Sequence, residues 1–375
     1  MKNIENMKIT EIEIYKVNID YTEPCNIALG NYDKAESVAI KILTDSDIYG
    51  TGEASSDPFI LGTCQGTDFE AAKHYAHLLK GKNPLEIETR MQEINHALIY
   101  NASIRGAFDM ALYDILGKTL NQPVYRLLGG TKRILNTDLT VGIQNTVHET
   151  VNHAVKIIED GFESVKLKVG RPGFEDIAHI AAVRNAVGDD VEIKIDSNQG
   201  WDVAQATVIL KRIEPLNILF SEQPLTVWDF EGMRQLRLGS SIPICADESL
   251  FDHHDALRLT AMQACDYFNI KLMKSGGIST ALKINNIAES AGIRCMIGCF
   301  DETRLGLTAA AHFTSAFPNV EFVDLDSALI LEKDPVFGGI KYEIEKNGTI
   351  FLPEGPGLGA EFNEDFLKTC ENITI

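Results

Sequence analysis

Polar and apolar positions change rhythm near residue 135. Before it, strands are predicted over 9–17 and 37–43, and over 48–53 after a turn at Asp45-Ser46-Asp47. Apolar residues then recur at helical spacing over 69–79, 85–98 and 103–116. The last of these places Ile104, Ala107, Phe108, Ala111, Leu112 and Ile115 on one face and is expected to end near Gly117. Strands followed by helices read as an α+β domain. Beyond residue 135, short apolar runs alternate with helical segments. Strands are predicted at 137–141, 164–168, 192–196, 218–222, 243–247, 267–271, 294–298 and 321–326, each of the first seven followed by a helix, among them 147–160, 176–187, 203–213 and 280–291. Eight parallel strands in that arrangement close into a TIM-type barrel, whose active sites lie at the C-terminal strand ends. Pro335, Gly338 and Gly339 leave the eighth helix short or missing, and strands over 340–344 and 349–352 would rejoin the first domain.

Five of the barrel strands end in a charge: Lys168, Asp196, Glu222, Asp247 and Lys271. The steps between them are about 28, 26, 25 and 24 residues, near the ~30 of one βα unit. A buried charge is costly unless it is paired or bound to a metal. One such aspartate alone would be read as a cap for the helix that follows its strand. Three oxygen donors in consecutive register, flanked by lysines, instead predict a site for Mg²⁺, or Mn²⁺, held by Asp196, Glu222 and Asp247.

Composition narrows the partners. The 375 residues carry a formal charge of −20, which argues against nucleic acid and against an acidic membrane surface. No stretch approaches the ~20 apolar residues of a membrane span. Seven scattered cysteines without C-x-x-C spacing suit a reducing cytosol. The segment 1–19 has no signal-like apolar run, so a cytoplasmic protein is expected, with translation starting at Met1 or at Met7.

Lys166 and Lys168 stand at i and i+2 of one strand, so both ammoniums project from one face. Like charges so placed are expected to lower a lysine pKa, as a general base requires. Lys271, four strands further round, would approach from the opposite side of the barrel mouth. Two bases facing each other across a metal-bound carboxylate suggest removal of a proton α to that carboxylate and its return to the other face, through an enediolate that a divalent cation stabilises. The Gly50-Thr51-Gly52 segment lacks the third glycine of a dinucleotide loop and is read as a hairpin-end turn. The loop 54–66 after it is expected to fold over the barrel mouth as part of a lid.

The arrangement resembles the enolase superfamily, in its muconate-lactonizing-enzyme subgroup. The resemblance covers nearly the whole chain and rests on Arg105-Gly106-Ala107-Phe108-Asp109-Met110-Ala111-Leu112-Tyr113-Asp114, Lys166-x-Lys168, Asp196-Ser197-Asn198-Gln199-Gly200-Trp201, Glu222-Gln223-Pro224, Ala246-Asp247-Glu248-Ser249 and Lys271-Leu272-Met273-Lys274-Ser275-Gly276-Gly277. A Lys or His base with Mg²⁺ is a known pairing for such sites. The resemblance implies an α/β fold: a modified TIM-type (β/α) barrel over 131–335, an N-terminal α+β capping domain over 1–130, and a C-terminal segment, 336–375, returning to the cap. It implies Lys168 and Lys271 as the acid/base pair, Lys166 tuning Lys168, and a homo-oligomer, since barrels of this family commonly assemble.

Within the subgroup, Asp324-x-Asp326 at the end of strand eight is similar to dipeptide epimerases, where it binds the substrate's free α-amino group by charge-assisted hydrogen bonds. Gly298-Cys299-Phe300-Asp301-Glu302-Thr303 is similar to the same branch. Asp324, Asp326, Asp301, Cys299, Thr140 and Asn198 are the expected substrate contacts. The implied activity is inversion of the C-terminal residue's α-carbon by two-base proton transfer, with L-Ala-L-Glu/L-Ala-D-Glu as the first candidate, in murein peptide metabolism. Broader or cationic dipeptides stay open, because the capping loop 20–30 has no Arg or Lys and Asp301 lies where the side chain should pass. Lys16, Lys34 and Arg304 are the candidate contacts for an anionic group. The competing expectations are a lyase or cycloisomerase of the o-succinylbenzoate synthase or muconate cycloisomerase kind, and a non-catalytic member of the fold.

Overall fold

The computed structural model describes residues 6–375, so a start at Met1 lies outside the described residues. Strands β1 (Ile9–Ile27), β2 (Gly30–Thr44) and β3 (Tyr49–Ser55) form an antiparallel meander, and the last strand of the chain, Asn372–Thr374, pairs with the free edge of β1. Helices α1 (Gln65–Leu79), α2 (Ile87–Ala97) and α3 (Ala102–Leu120) supply the other half of a core that includes Ile12, Ile14, Ile40, Ile42, Tyr75 and Phe108. Helix α3 lies so close to β3 that a Cβ at Gly50 would stand 2.0 Å from the carbonyl oxygen of Ala111, and one at Gly52 1.9 Å from that of Ala107. These glycines are therefore strand residues that admit a helix, and not the turn the sequence suggested. Gly117 likewise does not end α3: it sits inside the helix, where a Cβ would meet the Gly357 Cα at 2.6 Å.

The segment expected as a capping loop is a β-hairpin. After a register shift between Asp20 and Cys25, β1 pairs again with β2 through Cys25–Tyr32, Asn26–Asn31 and Ile27–Gly30. Asn26 at the tip accepts from the Ile143 N–H at 2.8 Å, which docks the hairpin on the loop after the first barrel strand.

Beyond α4 (Val124–Leu127) and the short β4 (Leu135–Asn136), the barrel strands are β5 (Leu139–Val141), β6 (Ser164–Lys168), β7 (Glu192–Asp196), β8 (Ile218–Glu222), β9 (Ile244–Ala246), β10 (Tyr267–Ile270), β11 (Arg294–Ile297) and β12 (Val320–Val323), parallel and in consecutive order. The ladder is open between β5 and β12. Side chains bridge that seam: Thr137 Oγ1 accepts from Leu325 N–H at 2.9 Å and Asp326 Oδ2 from Thr140 N–H at 2.8 Å. Helices α5 (Val147–Glu159), α6 (Glu175–Val187), α7 (Val203–Ile213), α8 (Phe230–Gly239), α9 (His253–Met262), the short α10 (Leu272–Ser275) with α11 (Ile278–Ala291), and α12 (Arg304–Ala316) follow the first seven strands, while β12 leads only into a 3-10 turn, Ser327–Leu329. Inside the barrel, Phe220, Tyr267 and Phe322 meet edge-on with centroids 5.1–5.7 Å apart. Phe220 and Phe322 each lie two residues before an acidic strand end, so this aromatic layer floors the site.

The tail departs from expectation. β13 (Val336–Gly338) pairs with β16 (Ala360–Phe362), whereas β14 (Lys341–Glu343) and β15 (Thr349–Phe351) join β4 at the N-terminal end of the barrel. The return to the first sheet is made by Asn372–Thr374 instead.

Two carboxylates of the N-terminal layer cap barrel helices. Asp109 on α3 accepts from Ser279 N–H at 3.0 Å in the first turn of α11. Glu53 on β3 accepts from Thr303 N–H and Gly306 N–H, both at 3.0 Å, at the start of α12. The Arg105–Asp114 motif thus serves docking. Asp109→Ala leaves buried donors without a partner and is expected to cost about 2 kcal/mol, read as a lower urea midpoint at unchanged slope. An unmoved midpoint would show that the α11 terminus does not depend on this cap.

Candidate active site

The five charged strand ends converge. Asp196, Glu222 and Asp247 are fully buried, and one carboxylate oxygen from each lies within 4.8 Å of the others. Each is oriented by a neighbour. Asp196 Oδ1 accepts from Asn198 N–H at 2.9 Å, Glu222 Oε1 from Asn269 Nδ2 at 2.7 Å, and Asp247 Oδ1 from Lys274 Nζ. Gln223 adds a brace, its Oε1 accepting from the N–H groups of Asp247 and Ser249, both at 3.0 Å. Asn198, Gln199 and Gln223, just past the first two acidic strand ends, all adopt positive φ (39°, 69° and 33°), backbone strain of the kind that collects at functional sites. Glu222 Oε2 and Asp247 Oδ2 are buried yet accept no hydrogen bond. Their near charges are Lys166 at 3.0 Å and Lys271 at 2.9 Å. Three buried carboxylates from consecutive strands, with one oxygen of each gathered within 4.8 Å of the others, are the donor set of a hard divalent cation.

The lysines are arranged differently from the expectation of a simple like-charged pair. Lys166 is 2% exposed and sits among Asp324 (2.7 Å), Glu222 (3.0 Å) and Asp196 (3.3 Å). Burial alone would push its ammonium down, but those carboxylates hold it well above the ordinary lysine value. Lys168 donates to Asp196 Oδ2 at 2.7 Å and to Asn198 Oδ1 at 3.1 Å. Burial again works most strongly against its charge and Lys166 lowers it further, yet the nearby carboxylates together, Asp196 foremost, outweigh them and the net shift is upward. The expected lowering of Lys168 by Lys166 is therefore present but overcome at contact distance. Lys271 is also raised, burial being outweighed by the surrounding carboxylates together, Asp247 foremost, and its ammonium stands 4.7 Å from the centroid of the Phe300 ring. Lys168 and Lys271 thus flank the acidic cluster from β6 and from the end of β10.

Asp324 and Asp326 follow β12 directly. Asp324 Oδ2 is bound to Lys166, which outweighs burial and holds the carboxyl below its usual range, while its Oδ1 is buried without a partner. Asp326 accepts from Thr140 N–H, and its Oδ1 lies 3.7 Å from the Cys299 thiol. Asn198 bridges Lys168 to Glu248 through its Nδ2, at 3.1 Å from Glu248 Oε1, so it holds the lysine as well as lining the cleft. A cleft of about 910 Å³, counted out to its open mouth, joins all the expected substrate contacts: Thr140, Asn198, Cys299, Asp301, Asp324 and Asp326. The hairpin (Glu23, Cys25, Ile27, Tyr32) and the loop after β3 (Asp57, Ile60) form its outer wall, as expected of a lid.

Lys16, Lys34 and Arg304 do not line this cleft. Lys16 pairs with Glu371 at 2.8 Å, Lys34 with Glu36 at 2.8 Å, and Arg304 with Asp334 and three carbonyls of the tail. Residues missed from the sequence are Asn269, Lys274, Gln223 and Glu248. Asn269 stands two residues before Lys271, so strand alternation alone would have placed it on the same face. Gln223, Glu248 and Lys274 lie past the ends of their strands, where alternation no longer assigns a face. No helix among the described residues is long and apolar enough to cross a membrane.

The sequence matches the family described as Mandelate racemase / muconate lactonizing enzyme, N-terminal domain, over residues 9–129, and Enolase C-terminal domain-like over residues 149–366. The chain belongs to the enolase superfamily, in its mandelate racemase/muconate lactonizing enzyme branch. Among similar members of this superfamily, the D-Ala-D/L-Ala epimerase of Cytophaga hutchinsonii is 40% identical over 98% of this chain and 100% of its own. The L-Ala-D/L-Glu epimerase of Bacillus subtilis is 39% identical over 94% of this chain and 96% of its own. The crystal structure of the dipeptide epimerase from Cytophaga hutchinsonii, complexed with Mg and D-Ala-L-Val, superposes with a TM-score of 0.96 at 39% identity, covering 98% of this chain and 100% of that one.

Proposed function

We propose that this superfamily member is a Mg²⁺-dependent dipeptide epimerase that inverts the α-carbon of the C-terminal residue. The observation that carries this reading is the placement of Lys168 and Lys271 on opposite flanks of the acidic cluster, with the unpartnered Asp324 Oδ1 in the same cleft. Asp196, Glu222 and Asp247 would hold the metal, whose positive charge, when bound, would offset the negative charge that builds on the substrate carboxylate as the α-proton leaves. One lysine takes that proton from one face and the other returns a proton to the opposite face. Lys166 keeps Asp324 ionised, and Asp324 with Asp326 receives the substrate ammonium. Such an ammonium is absent from the substrates of o-succinylbenzoate synthase and of muconate cycloisomerase, which leaves those activities without a use for Asp324-x-Asp326.

L-Ala-L-Glu is the first dipeptide to assay, because relatives of this similarity are named for it. We further propose a cytoplasmic homo-oligomer. Seven cysteines, all free of disulfides, support the reducing compartment.

With Mg²⁺ supplied, incubation of L-Ala-L-Glu and a wider L,L-dipeptide library in D₂O is expected to place deuterium at the C-terminal α-carbon and to yield the epimer. Chelation should abolish both, and added Mg²⁺, or Mn²⁺, should restore them. No exchange across the library would sink the proposal, and turnover of the o-succinylbenzoate precursor alone would favour the lyase.

A further inference from the structure

We infer that the cap side of the cleft selects a C-terminal residue with a cationic side chain, of the lysine or arginine class, and that Asp301 is its counter-ion; the inference rests on the epimerase reading above. The direction of the side chain follows from the α-carbon's four substituents. The carboxylate points down at the acidic cluster, the hydrogen points at one of the two lysines, and the amide runs toward Asp324 and Asp326. The fourth substituent is left facing the hairpin and the loop after β3.

That direction is apolar along its walls and acidic in its charges. Ile27, Ile60, Tyr32 and Phe300 line the cleft there and suit an alkyl stem. Asp301 makes no ion pair with any described residue, and its backbone N–H donates to Ser55 Oγ at 3.2 Å, which orients the residue from the cap strand. The Tyr21 hydroxyl lies beside its carboxyl, which burial pushes up to about 6. Asp57 is engaged by Tyr32 and by the amides of Phe59 and Ile60, and Glu23 stands on the rim without an ion pair among the described residues. Among the described residues, no lysine or arginine of the cap lines the cleft. The lysines that do, Lys166, Lys168 and Lys271, are each paired with carboxylates at the strand ends, and the remaining basic group, His153, comes from α5. A glutamate side chain would therefore enter beside Asp301 with no cation to receive it, whereas an ammonium or guanidinium would form a charge-assisted pair there.

The test compares kcat/KM of the Mg²⁺-loaded full-length enzyme on L-Ala-L-Lys, L-Ala-L-norleucine and L-Ala-L-Glu, each followed by α-deuteration in D₂O. Norleucine keeps the stem and removes the charge. The lysine dipeptide is expected to exceed norleucine by about tenfold or more, with glutamate last. Asp301→Asn should bring the lysine-to-norleucine ratio near one. That ratio, taken within one preparation, does not depend on how much of the variant folds. An unchanged ratio in Asp301→Asn, or glutamate as the best substrate, would overturn the inference. Exchange with norleucine but no lysine advantage defeats the side-chain assignment alone, whereas no exchange with any dipeptide defeats the epimerase reading and this inference together.

Discussion

Lys271→Ala and Lys168→Ala are each expected to lower the rate of inversion by about 10³-fold, the scale of a lost general acid or base. Each variant should also leave a distinctive remnant. With one lysine gone, the survivor can still remove a proton from the epimer that presents its hydrogen on that side and return a solvent deuteron to the same face. Lys271→Ala should then exchange one epimer without inverting it, and Lys168→Ala should exchange the other. The acidic cluster keeps a cation in both cases, since Lys274 remains on Asp247 and Lys166 on Asp196. Loss of activity with this mirrored pattern of exchange therefore reports the bases and not collapse of the site. Both epimers exchanging at the wild-type rate in either variant would refute the two-lysine assignment.

The second large effect concerns Glu302, which is 1% exposed. Burial, with the charge of Glu53 beside it, pushes its carboxyl up to about 8 from 4.5. The folded protein then holds a proton that the unfolded chain releases near pH 4.5. Folded binding exceeds unfolded binding through that window, so stability falls as pH rises from about 4.5 to about 8 and levels off above it. At ~1.4 kcal/mol per unit, the fall from this one group is on the order of 5 kcal/mol. Glu302→Gln keeps an acceptor for the Phe300 N–H, which now bonds Glu302 Oε2 at 2.6 Å, and cannot ionise. The urea midpoints of variant and wild type should diverge as pH rises through the window, the variant becoming the more stable. A difference that does not change with pH would show that Glu302 does not hold its proton. The residue adjoins Asp301, so the same loop carries both a structural carboxyl and the proposed counter-ion.

Much of this was legible in the chain. Strand alternation placed the eight barrel strands to within about three residues, and the recurring charges marked which end of the sheet does chemistry. It failed where long-range packing decides. Gly50 and Gly52 look like turn residues because local signals cannot report that α3 crosses β3 at contact distance. The segment 20–30 reads as a loop because its pairing resumes only after a shift of register. The strands at 341–343 and 349–351 are legible and pair with each other, but β4, which the second of them joins, is two residues long and carries almost no pattern of its own.

The site divides in the same way. Lys166, Lys168, Asp196, Glu222, Asp247 and Lys271 announce themselves because a charge at the end of an apolar strand is expensive without a purpose. Asn269, Gln223 and Lys274 do not, since their hydrogen bonds connect neighbouring strand ends and exist only once those strands are in register. The sequence by itself determined the barrel, the set of charged strand ends and hence proton transfer beside a carboxylate. Only the tertiary structure decided which carboxylate oxygens are tied and which are free, that Lys166 pairs with Asp324, and that Asp301 faces the cleft without a cation. Periodicity encodes which side of a strand a residue occupies. Distances across a barrel depend on the register and packing of strands far apart in the chain.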